Sequence, residues 1–322
     1  MSEQYTYAVA RIRALEVSLF SDQTIDQLIA CGTYRQCLQF LEERGWGDPG
    51  AEPSAEAILA REEEKIWEVV KDLHISMDKF DVLSLPKQFH NLKAAVKTAA
   101  TGKMVADIFY SGTAISGEEL LDRISRKAWD ELPDMMREAA HEAFDTLLHT
   151  GDGQLCDILI DRACLDAIHR AGEAAKEQMI RDYAESTVAV ADIRTAVRGQ
   201  KTGKSAEFLS RAIAPCGTLD EGKLVRAAVT GEEALRDYLA ETDYAGGGEA
   251  LAQSDSAFER WCDNRMIETI SPQKYNAFTI GPVIAWVIAR QNEIKTVRII
   301  LSGKQNGLPE DSIRERVRKM YG

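Results

Sequence analysis

The chain has 322 residues, 45% apolar, 28% charged and 7% aromatic, a profile of an ordinary globular protein with material for two or three cores. Thirty-nine Lys and Arg against 52 Asp and Glu leave a net charge of −13, a field that repels a phosphate backbone and excludes broad nucleic-acid binding. The longest nearly apolar run, 278–289, is interrupted by Gly281 and Pro282 and falls short of the about 20 residues a spanning helix needs, so no membrane crossing is expected. In chain order, the first break is the Gly-Trp-Gly-Asp-Pro segment at 45–49. Ile66, Val69, Val70 and Leu73 then recur at helical spacing, as do Phe89, Leu92 and Val96. Ser116 with Glu119 predicts a capping box, and 151–153 (Gly-Asp-Gly) predicts a turn. Thr218 with Glu221 and Thr230 with Glu233 predict two more helix starts. Three glycines at 246–248 and the pair Ser271, Pro272 read as breaks. Ile294, Val297 and Leu301, then Ile313, Val317 and Met320, complete the helical pattern. No stretch alternates with period two, so the fold class is all-α.

The N-terminus carries no basic region leading into an apolar core, so no secretory signal is expected and the compartment is cytoplasmic. Cys31, Cys37, Cys156, Cys164, Cys216 and Cys262 form no C-x-x-C pair and read as reduced, buried thiols. Neither they nor the five histidines supply the two close ligand pairs of a zinc site.

The most informative feature is internal repetition. Asn91-Leu92-Lys93, Asp192-Ile193-Arg194 and Glu293-Ile294-Lys295 follow one another at 101-residue intervals. Each string leads to a Gly-Lys pair (Gly102, Gly203, Gly303), expected at a helix C-terminus where Gly ends the helix and Lys meets its negative end. A glycine and a capped amphipathic helix come next, around Thr113, Thr218 and Leu308. A looser echo, Arg11-Ile12-Arg13, opens the chain. The period exceeds that of a solenoid repeat, so each unit is a small helical domain, with boundaries at 1–103, 104–204 and 205–322 and the N-terminal part packing with the third. Three such units either stack in a row or close about a pseudo-three-fold axis.

Candidate chemistry is sparse. The segment 199–205 has the glycines of a phosphate loop at the wrong spacing and follows a helix, not a strand, so the repeat explains it better. Asp157 and Asp161, with Arg162, share a helix face and read as an inter-helix ion pair or solvated face ahead of a catalytic pair. No serine or cysteine nucleophile motif is visible, and neither catalytic, cofactor nor metal residues are assigned. The recurring cations Arg11/Arg13, Lys93/Lys97, Arg194/Arg198 and Lys295/Arg298 either pair with acids of neighbouring helices or form a ring facing acidic partners. Charge is uneven: residues 290–322 carry eight Lys and Arg against four Asp and Glu, a basic tail on an acidic body.

These residues bring a family into view. The segment 7–16 (YAVARIRALE), 34–47 (YRQCLQFLEERGWG), Phe89-His90-Asn91-Leu92-Lys93, Asp192-Ile193-Arg194 and above all 281–295 (GPVIAWVIARQNEIK) with 297–307 (VRIILSGKQNG) resemble, in order, the central-stalk subunit of V-type and A-type rotary ATPases. That subunit is called C in prokaryotic complexes and d in eukaryotic ones. The resemblance spans almost the whole chain but is poor over 127–150, and none of the segments is a catalytic signature. It implies three similar helical domains in a pseudo-three-fold funnel. It also implies a non-catalytic rotor part, a socket between shaft subunits D and F and the membrane proteolipid (c/K) ring, peripheral to the membrane and transmitting torque for proton or sodium transport. Thr113, Thr218 and Leu308 are expected on one rim, with Lys93, Arg194 and Lys295 as accompanying cations. The competing expectations are an unrelated helical adaptor and an all-α enzyme using Asp157 or Asp161.

Overall fold

A computed structural model describes residues 5–50 and 54–322 and divides them into two compact units, one built from Met1–Ser76 with Glu249–Gly322 and one from Met77–Gly248. Helices account for the regular structure of the described residues, with no strand among them. In chain order they are α1 (Thr6–Glu16), α2 (Asp22–Ile29), α3 (Tyr34–Glu43), α4 (Ala55–Asp72), α5 (Asp81–Thr101), α6 (Gly117–Ser125), α7 (Asp134–Thr150) and α8 (Gly153–Ala174). They continue as α9 (Gln178–Lys201), α10 (Ala206–Ala212), α11 (Glu221–Thr230), α12 (Glu232–Ala240), α13 (Ala245–Gln253), α14 (Asp255–Ile270), α15 (Gly281–Gln305) and α16 (Glu310–Arg314).

The first unit is organised around α15, against which α1, α2, α3, α4, α14 and α16 pack. The apolar stretch that is too short for a membrane lies here: every residue from Gly281 to Arg290 is buried. A helix apolar on all sides needs neighbours on all sides, and the helices of both chain ends provide them. In the second unit α5 packs on α6, α7 and α8, α8 on α9, and α9 on α10, α11 and α12. The contact of α8 with α9 depends on Gly172, where a Cβ would come within 2.4 Å of the Ala184 Cβ. Ala184 has no flexible end to swing aside, so Gly172→Ala must push the helices apart. We expect a net loss of about 1–3 kcal/mol from this overpacking, despite the better helix propensity of alanine. Urea unfolding of the full chain checks it, and an unchanged midpoint would show that the two helices separate freely.

Several local expectations hold. Ser116 caps α6, its hydroxyl accepting from the Glu119 N–H, although the Glu119 carboxylate accepts from Arg123 and the box is only half formed, and the chain breaks between α7 and α8 with Gly151 left-handed. Others do not. The N-cap of α11 is Asp220, two residues past Thr218, and α12 begins from Gly231 while Thr230 still ends α11. The glycines at 246–248 are no break: they lie inside α13, where a Cβ on Gly248 would stand 3.3 Å from the Arg236 carbonyl oxygen. At Gly248 the missing side chain serves close approach to Arg236 of α12 and not a turn. Gly102 and Gly203 are left-handed at the ends of α5 and α9, as expected, but Gly303 is buried inside α15, and the left-handed glycine that follows this helix is Gly307. Gly303 is small because Ile313 of α16 lies over it, as Leu209 of α10 lies over Gly199. Of the cysteines expected to be buried, Cys31 and Cys216 are only partly so.

Candidate interaction surface

The first residue of each repeated string is polar and yet fully buried. Asn91, Asp192 and Glu293 are all inaccessible, and each uses its side chain to hold a loop. The Asn91 amide donates to the Tyr110 carbonyl while its oxygen accepts the Tyr110 N–H, both at 2.8 Å. Asp192 Oδ1 accepts the Ala214 N–H at 3.0 Å. Glu293 Oε1 accepts the Phe20 N–H at 2.8 Å. In each case the gripped residue shortly precedes a capped helix, α6 from Ser116, α11 from Asp220 and α2 from Ser21. The third loop comes from the start of the chain, which the sequence spacing alone does not reveal. A buried N–H left without an acceptor is costly, so these three side chains fix where the long helices α5, α9 and α15 meet the loops they carry.

The electrostatics of the three sites differ. Asn91 is neutral. Burial pushes the Asp192 carboxyl up to about 8, against the Ala214 N–H and the Arg162 guanidinium, which favour its charge. Its second oxygen has no hydrogen-bond partner. Glu293 is raised by burial too, but Arg290 answers it: the guanidinium bridges Glu293 and Glu62 of α4 while stacking 5.2 Å over the Trp46 ring. Glu62 also accepts the Gly47 N–H at 2.9 Å and Lys65 Nζ at 2.6 Å. Sequence reasoning missed this cluster. Its signal was an Arg and a Glu at the end of an apolar run, three apart on one helix face.

The six residues expected at an interface lie as follows. Thr113 is half-buried, its hydroxyl donating to the Ile115 carbonyl and accepting from Asn91. Thr218 is exposed, yet its N–H and hydroxyl both reach Glu185 at 2.7 Å and the hydroxyl meets the Tyr244 phenol at 2.9 Å. Burial works against the Glu185 charge, but these hydrogen bonds from Thr218, with the Gly217 amide and His169, hold the carboxyl below its ordinary range. Leu308 is half-buried, and its N–H closes the turn after α15 onto the Gly303 carbonyl, as the Lys204 N–H does onto Gly199 after α9. Lys93 pairs with Asp161 at 2.5 Å, Lys97 with Asp157 at 2.6 Å and Lys295 with Asp263 at 2.8 Å. Arg194 is half-buried and is engaged with other groups as well. The structure thus brings Asp157 and Asp161 together with lysines of α5 in inter-helix ion pairs. Exposed apolar side chains gather instead on the loop after α5, where Met104, Val105 and Tyr110 are 69%, 59% and 50% exposed. The loop is held from beneath by Asn91 and by His90, whose ring lies 4.6 Å from that of Tyr110.

Comparison with known proteins decides the family. The model of the ATP synthase (C/AC39) subunit matches residues 8–316. The chain belongs to the C/AC39 family of V-type and A-type ATP synthase subunits. Among its relatives is the C subunit of the V-type sodium ATPase of Enterococcus hirae, 24% identical, with 96% of this chain and 97% of that protein covered. The C subunit of the A-type ATP synthase of Methanocaldococcus jannaschii is also 24% identical, over 96% of this chain and 85% of its own length. Its counterpart in the V-type ATP synthase of Thermus thermophilus is 21% identical over 98% and 99%. As a C/AC39 protein the chain is a structural stalk component of a rotary ATPase, not its catalytic part. No helix among the described residues is long and apolar enough to cross a membrane.

Proposed function

We propose that this C/AC39 protein is the socket of the rotor, seating the D and F shaft subunits on the proteolipid ring and passing torque between them. In this reading the three repeats close about a pseudo-three-fold axis as a funnel, on the cytoplasmic side of the membrane, and the segments carrying Thr113, Thr218 and Leu308 form one rim. The observation that carries it is the repeated grip of a buried polar residue, Asn91, Asp192 or Glu293, on the loop ahead of a capped helix. A part that transmits torque must not let its rim loops yield, and a hydrogen bond from the centre of a packed helix restrains a loop better than surface contacts do. The partner classes follow from chemistry. Met104 and Val105, apolar and exposed on a held loop, suit the apolar face of a shaft helix. The ring presents polar loops, for which the charged surface around Arg314 to Lys319, with Asp26, Asp263 and Glu268 as the partners of Arg314, Arg318 and Lys319, offers complementarity.

The test is a tagged pull-down from source membranes in mild detergent. The native chain should recover shaft, proteolipid and the catalytic head. Met104→Asp with Val105→Asp should cut recovery of the shaft at least tenfold at unchanged helical content. Retention of the shaft by that variant would remove the loop from the interface. Recovery of no partner from a lysate whose complex is intact would overturn the socket and leave a helical adaptor.

A further inference from the structure

Four of the six cysteines are buried, but two of the six stand together. Cys31 follows the C-terminal end of α2, and Cys37 lies in the first turns of α3, which Thr33 starts through a reciprocal capping box with Gln36. A helix end leaves its last carbonyls without helical partners. Both thiols take up that role: Cys31 Sγ donates to the Gln27 carbonyl and Cys37 Sγ to the Leu28 carbonyl, each at 3.6 Å. The two thiols thus lie against adjacent carbonyls of one turn, and Cys31 is a near enough neighbour to help raise the Cys37 thiol. By contrast, the charge neighbours of Cys156, Cys164 and Cys216 are carboxylates, with lysines beside the first two. Accessibility is graded within the pair: Cys31 is partly open to solvent and Cys37 is fully buried.

We propose that Cys31 and Cys37 are a redox modification site, closing into an intramolecular disulfide by exchange with a small-molecule disulfide of the glutathione type. The order of events follows from exposure. Cys31 loses its proton to water, and its thiolate attacks one sulfur of the small disulfide. That S–S bond breaks and one small thiolate leaves with the electron pair, giving a mixed disulfide on Cys31. Cys37 then loses its proton and attacks the Cys31 sulfur, and the second small thiolate departs. Two protein thiols are oxidised to one disulfide while one small disulfide is reduced to two thiols. Gly32, between Cys31 and Thr33, gives the turn the freedom to meet the bond's narrow geometry. The second step is the slow one. Burial raises the Cys37 thiol, and Lys304 of α15 only partly offsets it. Closure therefore draws on a small thiolate fraction and should speed up as pH rises.

The experiment uses the full chain, oxidised glutathione as the probe, rapid alkylation of remaining thiols, and trypsin without reduction. Cleavage after Arg35 leaves the two cysteines on separate peptides, 14–35 and 36–44, which stay joined only through a disulfide. The expected result is that joined pair, separated by dithiothreitol and absent in Cys31→Ser. Cys37→Ala should instead accumulate glutathione on Cys31, with circular dichroism showing both variants folded. A lasting glutathione adduct on Cys31 of the native chain, joined peptides only after denaturation, or no reaction at Cys31 would each overturn the proposal.

Discussion

Arg290→Met should be among the most damaging single substitutions in the chain. The guanidinium sits between two carboxylates, Glu62 and Glu293, that are almost wholly buried. Methionine fills the space but leaves those carboxylates facing each other, with only Lys65 and two backbone N–H groups to answer them. Removing one partner of a buried charged group costs about 3–5 kcal/mol, of the order of 10 °C in Tm for a unit of this size. The loss should also depend on pH. Burial already holds the Glu293 carboxyl above its ordinary value, so the folded state keeps its proton to higher pH than the unfolded chain does. Without Arg290 that tendency grows, and the variant should regain stability as pH falls through the range between the ordinary and the raised value. Replacing all three residues, Glu62→Gln and Glu293→Gln with Arg290→Met, should be milder than Arg290→Met alone, because no buried charge is then left unpaired. Thermal unfolding at pH 5 and pH 8 checks both points. An Arg290→Met protein as stable as the native one at pH 8 would show that water enters the cluster freely.

Asp192→Asn should act in the opposite direction. The folded-state carboxyl is raised to about 8, against an ordinary value of 3.8. Between those values the folded protein holds a proton that the unfolded chain has released. The stabilisation this gives is complete below the unfolded value and is lost as pH rises towards 8, at up to about 1.4 kcal/mol per pH unit. Asparagine has no charge to bury, keeps an oxygen for the Ala214 N–H and supplies a donor where Asp192 Oδ2 has no partner. Asn91 already occupies the corresponding place in the first string and donates back to the residue it holds. The variant should therefore be more stable than the native chain by a few kcal/mol at pH 9, with the difference shrinking steadily towards pH 4. Urea unfolding across that range reads it directly. A difference independent of pH would mean that the carboxyl does not titrate in the window.

The two substitutions test the same design from two sides. In the second unit a lone buried carboxyl holds its loop and carries a standing cost at high pH. In the first unit the equivalent carboxyl is answered by a guanidinium that also ties α15 to α4, through a pair of residues 228 apart in sequence. The second arrangement is the more rigid, since a well-satisfied ion cluster permits few alternative packings.

What the sequence determined by itself was what depends on neighbours a few residues away. Helical spacing and the absence of alternation decide the all-α class, since each is a property of a short window. Ser116 and Gly102 declare the ends of their helices because a cap answers backbone groups of its own turn. The order of segments from 7 to 307 carries the family, because shared ancestry is written along the chain and not across it. The 101-residue register of Asn91, Asp192 and Glu293 was visible too, but not its purpose. That these polar residues are the buried ones, and that they hold Tyr110, Ala214 and Phe20, depended on which loop folds over which helix. The same holds for the cations: Lys93, Lys97 and Lys295 suited an internal acid or a partner until the packing of α5 on α8 and of α15 beside α14 supplied the acids. Gly246 to Gly248 read as a break because glycine frees a backbone, whereas they lie inside α13, where the lack of a side chain at Gly248 leaves room for Arg236 of α12. A glycine or a charge permits several uses, and only the surroundings assembled by distant parts of the chain select one.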